Sequence, residues 1–141
     1  MTVSHLEPGR FWLISAAAGE LHDEHWLRSH LTQRHGPVGI VNVTAQFGSL
    51  ILVGPRSREL LSRVTDADLS NEAFPWLAVR SIAIGYTEAL AMRVNYVGEL
   101  GWELHVRSEH LLAVHGLLLA AGEALEIAHF GLYAMDSLRL E

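Results

Sequence analysis

Apolar and polar residues alternate along two consecutive stretches near residue 100, and this alternation predicts a pair of β-strands. Residues 93–97 form the first stretch and residues 102–107 the second. A period of two is typical of strands with one buried face. Gly98 and Gly101 bracket the turn between them, where a positive φ or a close backbone approach costs little only for glycine. The pattern therefore predicts a hairpin with a tight turn.

The rest of the chain alternates between strand-like and helix-like patterns. Continuous apolar runs and period-two segments predict strands at residues 10–18, 38–44, 47–53, 76–84 and 89–96. Helical spacing predicts helices at residues 20–35 (apolar side Leu21, Trp26, Leu27 and Leu31), 57–64 (burying Leu60, Leu61 and Val64), 108–125 (capped by Ser108) and 131–141. Neighbouring strands with helices between them indicate an α+β domain, with helices packed on one face of a mainly antiparallel sheet.

Composition narrows the function classes. The 141 residues suit one domain, and half of them are apolar, which argues against disorder. A net charge of −6 argues against nucleic-acid binding. The chain has no cysteine, no apolar run of the ~20 residues a membrane span needs, and no signal-peptide pattern at its start. A cytoplasmic protein without a membrane partner is expected.

The predicted hairpin carries the candidate chemistry. Glu99 lies at the turn and Glu103 just beyond it, beside Tyr96 and Trp102. A carboxylate flanked by aromatic rings can accept two parallel hydrogen bonds from a flat heterocycle that bears N–H donors. Residue types alone leave a second interpretation open, in which both glutamates are solvated hairpin residues. Glu103 would then be an outward strand glutamate in cross-strand pairing.

The sequence does not predict a metal, flavin or nucleotide site. His22 and His25 are three residues apart and not four, so this helix lacks the H-E-x-x-H spacing, and no metal site is expected. The chain contains neither G-x-G-x-x-G nor a phosphate-binding loop. We therefore expect it to bind neither flavin nor nucleotide by itself.

Residues 96–103 read Tyr-x-Gly-Glu-x-Gly-(aromatic)-Glu, which resembles the signature hairpin of the tetrahydrofolate-binding domain of the glycine cleavage T-protein (aminomethyltransferase) family. Residues 52–61, 68–75 and 131–141 resemble three further segments of that family in the same order. The resemblance is nearest to the folate domain that follows the flavin domain in dimethylglycine and sarcosine dehydrogenases.

The resemblance implies a T-protein-like fold built on ferredoxin-like lines, with tetrahydrofolate as cofactor. It implies that Glu103 accepts hydrogen bonds from the pterin ring and that Tyr96 lines the pocket. An equal alternative for Tyr96 is a core tyrosine whose hydroxyl contacts solvent. FAD would belong only to another domain of the parent protein. The family's catalytic aspartate has no counterpart in the chain, so no catalytic residue is predicted.

Two positions depart from the transferase pattern. Met135 stands where glycine-cleavage transferases carry an arginine that touches folate, and Ala16 falls near a pocket asparagine of that group. Both departures fit the folate domain of a dehydrogenase better than that of a transferase that takes an aminomethyl group from a lipoyl carrier. Arg139 is retained and is predicted to anchor its helix by an ion pair.

Residues 1–141 are interpreted as a single partial folate-binding domain, without the family's N-terminal catalytic segment and C-terminal barrel. Such a fragment is expected to be inactive alone and to form a homo-oligomer through surfaces that are internal in the parent protein. Two function classes remain open. One is a tetrahydrofolate-dependent one-carbon transfer domain of a demethylating dehydrogenase or an aminomethyltransferase; the other is a non-catalytic folate-binding, regulatory or interaction module of the same fold.

Overall fold

The computed structural model describes residues 1–31 and 36–141 and divides the chain into two compact units, Met1–Thr44 and Ala45–Glu141. The first unit contains an antiparallel pair of strands, β1 (Thr2–Glu7) and β2 (Arg10–Ile14), and the helix α1 (Glu20–His30). No helix among the described residues is long and apolar enough to cross a membrane.

The second unit is a four-stranded antiparallel sheet with helices. Its elements, in chain order, are β3 (Phe47–Val53), α2 (Ser57–Leu61), β4 (Val79–Ile84), β5 (Thr87–Met92), β6 (Gly101–Arg107), α3 (Leu111–Gly122) and α4 (Leu132–Leu138). The strands lie in the order β3-β6-β5-β4 in the sheet.

The core of this unit lies between one face of the sheet and the helices α2 and α3. Trp102, Leu104 and Val106 are fully buried there, at alternate positions of β6. They join Leu60 and Leu61 of α2, as well as Val114 and Leu118 of α3, in one cluster. Burial of this apolar surface is the main favourable term in folding. The α+β class, with helices on one face of an antiparallel sheet, is confirmed.

The first strand of the predicted hairpin, residues 93–97, does not form. The strand β5 ends at Met92, and eight residues, 93–100, connect it to β6. The reason is local: the Asn95 side chain accepts a 2.9 Å hydrogen bond from the Val97 N–H, and such a bond to the backbone two residues on competes with a strand. The 93–100 segment is therefore a loop, although its residues alternate as a strand's would.

The two glycines of this hairpin are explained by different constraints. Gly98 has a φ of +79°, which favours glycine. Gly101 pairs with Val53, and a Cβ at Gly101 would lie 2.7 Å from the Leu52 carbonyl oxygen. One glycine therefore serves the backbone conformation of the loop, and the other serves the close approach of β6 to β3.

Several element boundaries also differ from the prediction. Residues 38–43 form no strand; instead Asn42 donates 2.8 Å hydrogen bonds to Glu20 and Glu24 of α1. The strand predicted at 76–84 begins only at Val79, because the chain turns before it and Leu77, expected inward, is exposed with a φ of +67°.

The helix α1 differs from its prediction in extent and in its buried side. It ends at His30; residues 32–35, which complete the predicted helix, lie outside the described residues. Leu21 and Trp26 are exposed, whereas Asp23 and Glu24 are half-buried. The partial burial of Glu24 is explained by its polar contacts, because Glu24 accepts hydrogen bonds from Asn42 and Arg28. Those bonds, the one from Asn42 first, hold the pKa of Glu24 below its ordinary value.

The helix α3 is confirmed over its length, but not its cap. A short 3-10 turn precedes it at Ser108–His110, and another follows it at Glu123–Leu125, so helical structure spans the predicted range. The Ser108 hydroxyl donates to the Ala45 carbonyl oxygen and makes no cap hydrogen bond to the helix. Serine is a common helix N-cap, but the hydrogen-bond partner of Ser108 is a carbonyl group 63 residues earlier in the chain.

We expect the protein to associate with itself at micromolar concentration. Large apolar side chains are exposed on β2 (Phe11 and Leu13) and at α4 (Leu132 and Leu140), and monomers seldom leave such residues grouped on the surface. Analytical ultracentrifugation should give a mass above 15.6 kDa, and Leu132→Glu should weaken association if α4 takes part. A monomer over the whole micromolar range would contradict this expectation.

Candidate functional site

Glu103 lies in the middle of β6, on the sheet face opposite the helices. It pairs with Ile51 of β3 on one side and with Met92 of β5 on the other, so it stands between two apolar side chains. Its side chain is 27% exposed. Burial raises the pKa of this carboxyl above its ordinary value, because a low-dielectric setting disfavours the charge.

His105 is the next residue of β6 on the same face and is buried. Its Nδ1 lies 2.8 Å from the Ser49 hydroxyl oxygen, and its Nε2 lies 3.7 Å from Glu103 Oε2. Burial lowers the pKa of His105. A row of three polar groups, Ser49, His105 and Glu103, therefore crosses from β3 to the centre of β6.

This row has the residue types of a serine hydrolase triad but not the geometry. The 3.7 Å separation of His105 and Glu103 is longer than a hydrogen bond. A hydrolytic triad needs the serine–histidine and histidine–acid hydrogen bonds together. The arrangement favours a binding carboxyl with a polar neighbour over a nucleophilic serine.

Other charged groups on this sheet face have their own partners. Arg107, two residues beyond His105 on β6, donates to the Gln46 side chain at 2.8 Å and lies over the Phe47 ring. Glu88 of β5 accepts a 3.3 Å hydrogen bond from Ser81. The residues that β3 and β4 contribute to this face are not titratable. His105 is therefore the titratable group nearest to Glu103 along the sheet.

Tyr96 lies in the 93–100 loop and is about half exposed. The Arg139 guanidinium, just after α4, lies 4.7 Å from the centre of the Tyr96 ring. This is a cation–π contact. It replaces the ion pair predicted for Arg139, since no carboxylate lies within ion-pair distance of it among residues 1–31 and 36–141. Arg139 thus joins α4 to the loop and not to an acidic side chain.

The structure does not bond the two predicted site residues to each other. Tyr96 contacts Arg139, whereas Glu103 faces His105. The end of the loop is fixed, because the Leu100 carbonyl oxygen accepts hydrogen bonds from the Gly54 N–H at 2.8 Å and the Ser57 hydroxyl at 3.0 Å. Glu103 therefore stands on a rigid strand, and Tyr96 on a loop held at its far end by α2 and the turn before it.

An apolar groove of about 370 Å³ runs beside the free edge of β3. Met135, which was predicted to stand where transferases of the family carry an arginine, lines it. The remaining lining comes from β3, α3 and the approach to α4: Ser49, Leu50, Ile51, Leu52, His115, Leu118, Leu119, Ile127, Ala128, His129, Phe130, Gly131 and Leu132. Two of these lining residues also pair with β6: Ile51 with Glu103 and Ser49 with His105.

Two histidines meet at the groove. His115 of α3 and His129 have their Nε2 atoms 3.0 Å apart, with ring centres separated by 5.2 Å. This separation places the rings end to end, as in an N–H···N hydrogen bond. Across residues 1–31 and 36–141, no three His, Cys, Asp or Glu side chains are placed to hold a metal ion.

Sequence reasoning missed His105, Ser49 and the contact of Arg139 with Tyr96. The sequence did contain one indication of His105 as a neighbour of Glu103, because alternation along β6 places both side chains on the same face. The partnership with Ser49 could not be found in this way, because the two residues are 56 positions apart.

Comparison with known proteins identifies the family. The family model described as the GCVT N-terminal domain matches residues 1–141. Dimethylglycine dehydrogenase of Homo sapiens is 40% identical over 141 residues, which are all of this chain and 16% of that protein. Aminomethyltransferase of Bacillus licheniformis is 34% identical over 131 residues, covering 93% of this chain and 35% of that protein.

A solved structure supports the fold. Heterotetrameric sarcosine oxidase from Corynebacterium sp. U-96 matches with a TM-score of 0.59 at 21% identity, over 68% of this chain and 48% of that one. The family model and the curated relatives confirm, at the level of the family, the resemblance read from residues 52–61, 68–75, 96–103 and 131–141. The chain belongs to the family of the GCVT N-terminal domain.

Proposed function

We propose that this chain is part of a tetrahydrofolate-binding domain in an enzyme that demethylates dimethylglycine- or sarcosine-type amines. The observation that carries the proposal is Glu103, a partly buried carboxyl between Ile51 and Met92 on a rigid strand. Family membership and the 40% identity to a dimethylglycine dehydrogenase support the same function. The chain covers only 16% of that relative, so the activity of the whole protein is part of the proposal.

The residues fit one end of a reduced folate. A pterin ring is flat and bears a 2-amino group and a ring N–H on one edge, and the two oxygens of Glu103 can accept both donors. The apolar side chains of Ile51 and Met92 suit contact with the ring. The chain's part is to hold and orient the cofactor, while the folate amine accepts the one-carbon unit.

The dehydrogenase type is favoured over the lipoyl-dependent transferase by Met135. This thioether lines the apolar groove, and the resemblance of residues 131–141 to the family implies that it stands where transferases carry a folate-touching arginine. An uncharged side chain there removes one cationic contact to the cofactor. A demethylating enzyme that captures a released one-carbon unit has no lipoyl carrier to accommodate.

Isothermal titration with 5-formyltetrahydrofolate, a stable reduced folate, tests this proposal. We expect saturable binding, and we expect a pterin without its tail to compete, because Glu103 is proposed to recognise the pterin edge. The p-aminobenzoylglutamate portion alone should compete far less. No detectable binding up to millimolar folate would contradict the proposal.

The second candidate is an interaction module of the same fold. The observation that favours it is the apolar lining of the groove at Met135, which suits an apolar partner better than an anionic cofactor. The same titration separates the candidates, since such a module has no need to bind the pterin.

A further inference from the structure

We propose that Ser49 and His105 act as a positioning pair that keeps the Glu103 carboxylate charged and correctly oriented for the donors of its ligand. The inference rests on the proposed function in one respect, namely that this ligand is a reduced folate. In this arrangement Glu103 contacts the cofactor, and Ser49 and His105 act through Glu103.

The sheet register places the three groups in a row. Ser49 of β3 pairs directly with His105 of β6, and His105 follows Glu103 by two residues on the same face. The separations are 2.8 Å from Ser49 Oγ to His105 Nδ1 and 3.7 Å from His105 Nε2 to Glu103 Oε2. Each imidazole nitrogen therefore faces a different partner.

The Ser49 hydroxyl and the Glu103 carboxylate together favour one tautomer of His105, because the hydroxyl can donate or accept whereas the carboxylate only accepts. A neutral imidazole carries a proton on one nitrogen and a lone pair on the other. When the serine hydroxyl donates to Nδ1, the proton stays on Nε2, and this N–H faces the carboxylate of Glu103. Such tautomer selection by the partner of the other ring nitrogen is a general property of histidine.

The pair opposes the effect of burial on Glu103. Burial raises the pKa of Glu103 and lowers that of His105, so the surroundings favour both groups in their neutral forms. An N–H directed at the carboxylate favours the charged form instead. The two groups are 3.7 Å apart in the free protein, so the N–H acts on the carboxylate as a nearby dipole and makes no hydrogen bond to it.

Among the described residues of this sheet face, no charged side chain is placed to stabilise the Glu103 carboxylate in their stead. Arg107 on β6 is hydrogen-bonded to Gln46, Glu88 on β5 accepts from Ser81, and β3 and β4 present no titratable side chain here among the described residues. Leu90 and Met92 are the β5 residues beside His105 and Glu103.

The test is to measure the carboxyl titration of Glu103 directly, by the ¹³C shift of its side chain in the folate-free protein. His105→Asn and Ser49→Ala should raise the pKa of Glu103. His105→Gln should restore much of the original value, because its longer side chain places an amide N–H near the position of Nε2. Ser49→Thr keeps the hydroxyl and is the matched control for Ser49→Ala.

Folate affinity measured from pH 8 to pH 5.5 gives the second readout. In Ser49→Ala and His105→Asn the raised pKa should make binding fall at a higher pH than in the parent protein, with a loss at low pH of up to about tenfold for each unit by which the pKa rises. A purely structural role would weaken binding equally at every pH and would contradict the proposal. Ser49 is exposed, so Ser49→Ala decides the matter even if variants of the buried His105 fail to fold.

The two readouts separate this inference from the proposed function. An unchanged Glu103 titration in folded Ser49→Ala and His105→Asn proteins would overturn the positioning pair, whether or not folate binds. A shifted titration in a protein that binds no folate would support the pair and contradict the proposed function.

Discussion

Replacing Glu103 by glutamine is expected to weaken the binding of a reduced folate by about tenfold to more than a hundredfold. The substitution turns one acceptor oxygen into an N–H₂ donor that would face the pterin donors. A lost hydrogen bond to a charged group costs about 1.5–3 kcal/mol, which corresponds to that range of affinity. Titration calorimetry of the parent and the variant measures the ratio.

Glu88→Gln is the matched control for this substitution. Glu88 lies on the same sheet face and is exposed, with Ser81 as its hydrogen-bond donor, so its replacement removes an equal charge away from the proposed contact. The Glu103→Gln protein should keep its thermal stability, because burial already disfavours the charged form of Glu103. Equal folate affinity in both variants would show that Glu103 is a solvated strand glutamate.

Replacing Trp102 by alanine is expected to lower the free energy of unfolding by about 3–5 kcal/mol, as for other buried large aromatic residues. Trp102 is fully buried, and its ring meets the Phe74 ring edge-on, with centres 6.4 Å apart. Arg58 lies over the same ring at 6.0 Å. Such a loss is a large fraction of the 5–15 kcal/mol that typically separates folded from unfolded protein. Urea unfolding followed by circular dichroism measures it.

Trp76→Ala provides the control within the same unit. Trp76 is 70% exposed, so its removal should change the stability by less than about 0.5 kcal/mol. Trp102→Phe should cost less than Trp102→Ala, since it fills more of the volume and removes an indole N–H that is buried without a hydrogen-bond partner among the described residues. Equal losses for the two tryptophan-to-alanine variants would contradict the assignment of Trp102 to the core.

Short-range patterns in the sequence were enough to predict several elements of the protein. The strand at 47–53 was predicted with its observed bounds, and the helical range 108–125 was also correct. In both cases the apolar residues recur at the period of the element that buries them. Burial of Leu60 and Leu61 followed from the same argument. The four motifs at 52–61, 68–75, 96–103 and 131–141, taken together, were sufficient to identify the family.

The surroundings of those residues depend on contacts that form only in the folded chain. Alternation predicted a strand for 93–97, but the hydrogen bond from the Val97 N–H to Asn95 made it a loop. Leu21 and Trp26 had the spacing of a buried helical face, yet they are exposed.

The neighbours of the two predicted site residues come from distant parts of the chain. Glu103 was chosen from its motif, whereas the partnership of His105 with Ser49 required the pairing of β3 with β6. Arg139 reached Tyr96 through the position of α4. Local patterns specify which side of an element is apolar, but contacts between residues 40 to 60 positions apart arise only when the sheet and its helices have assembled.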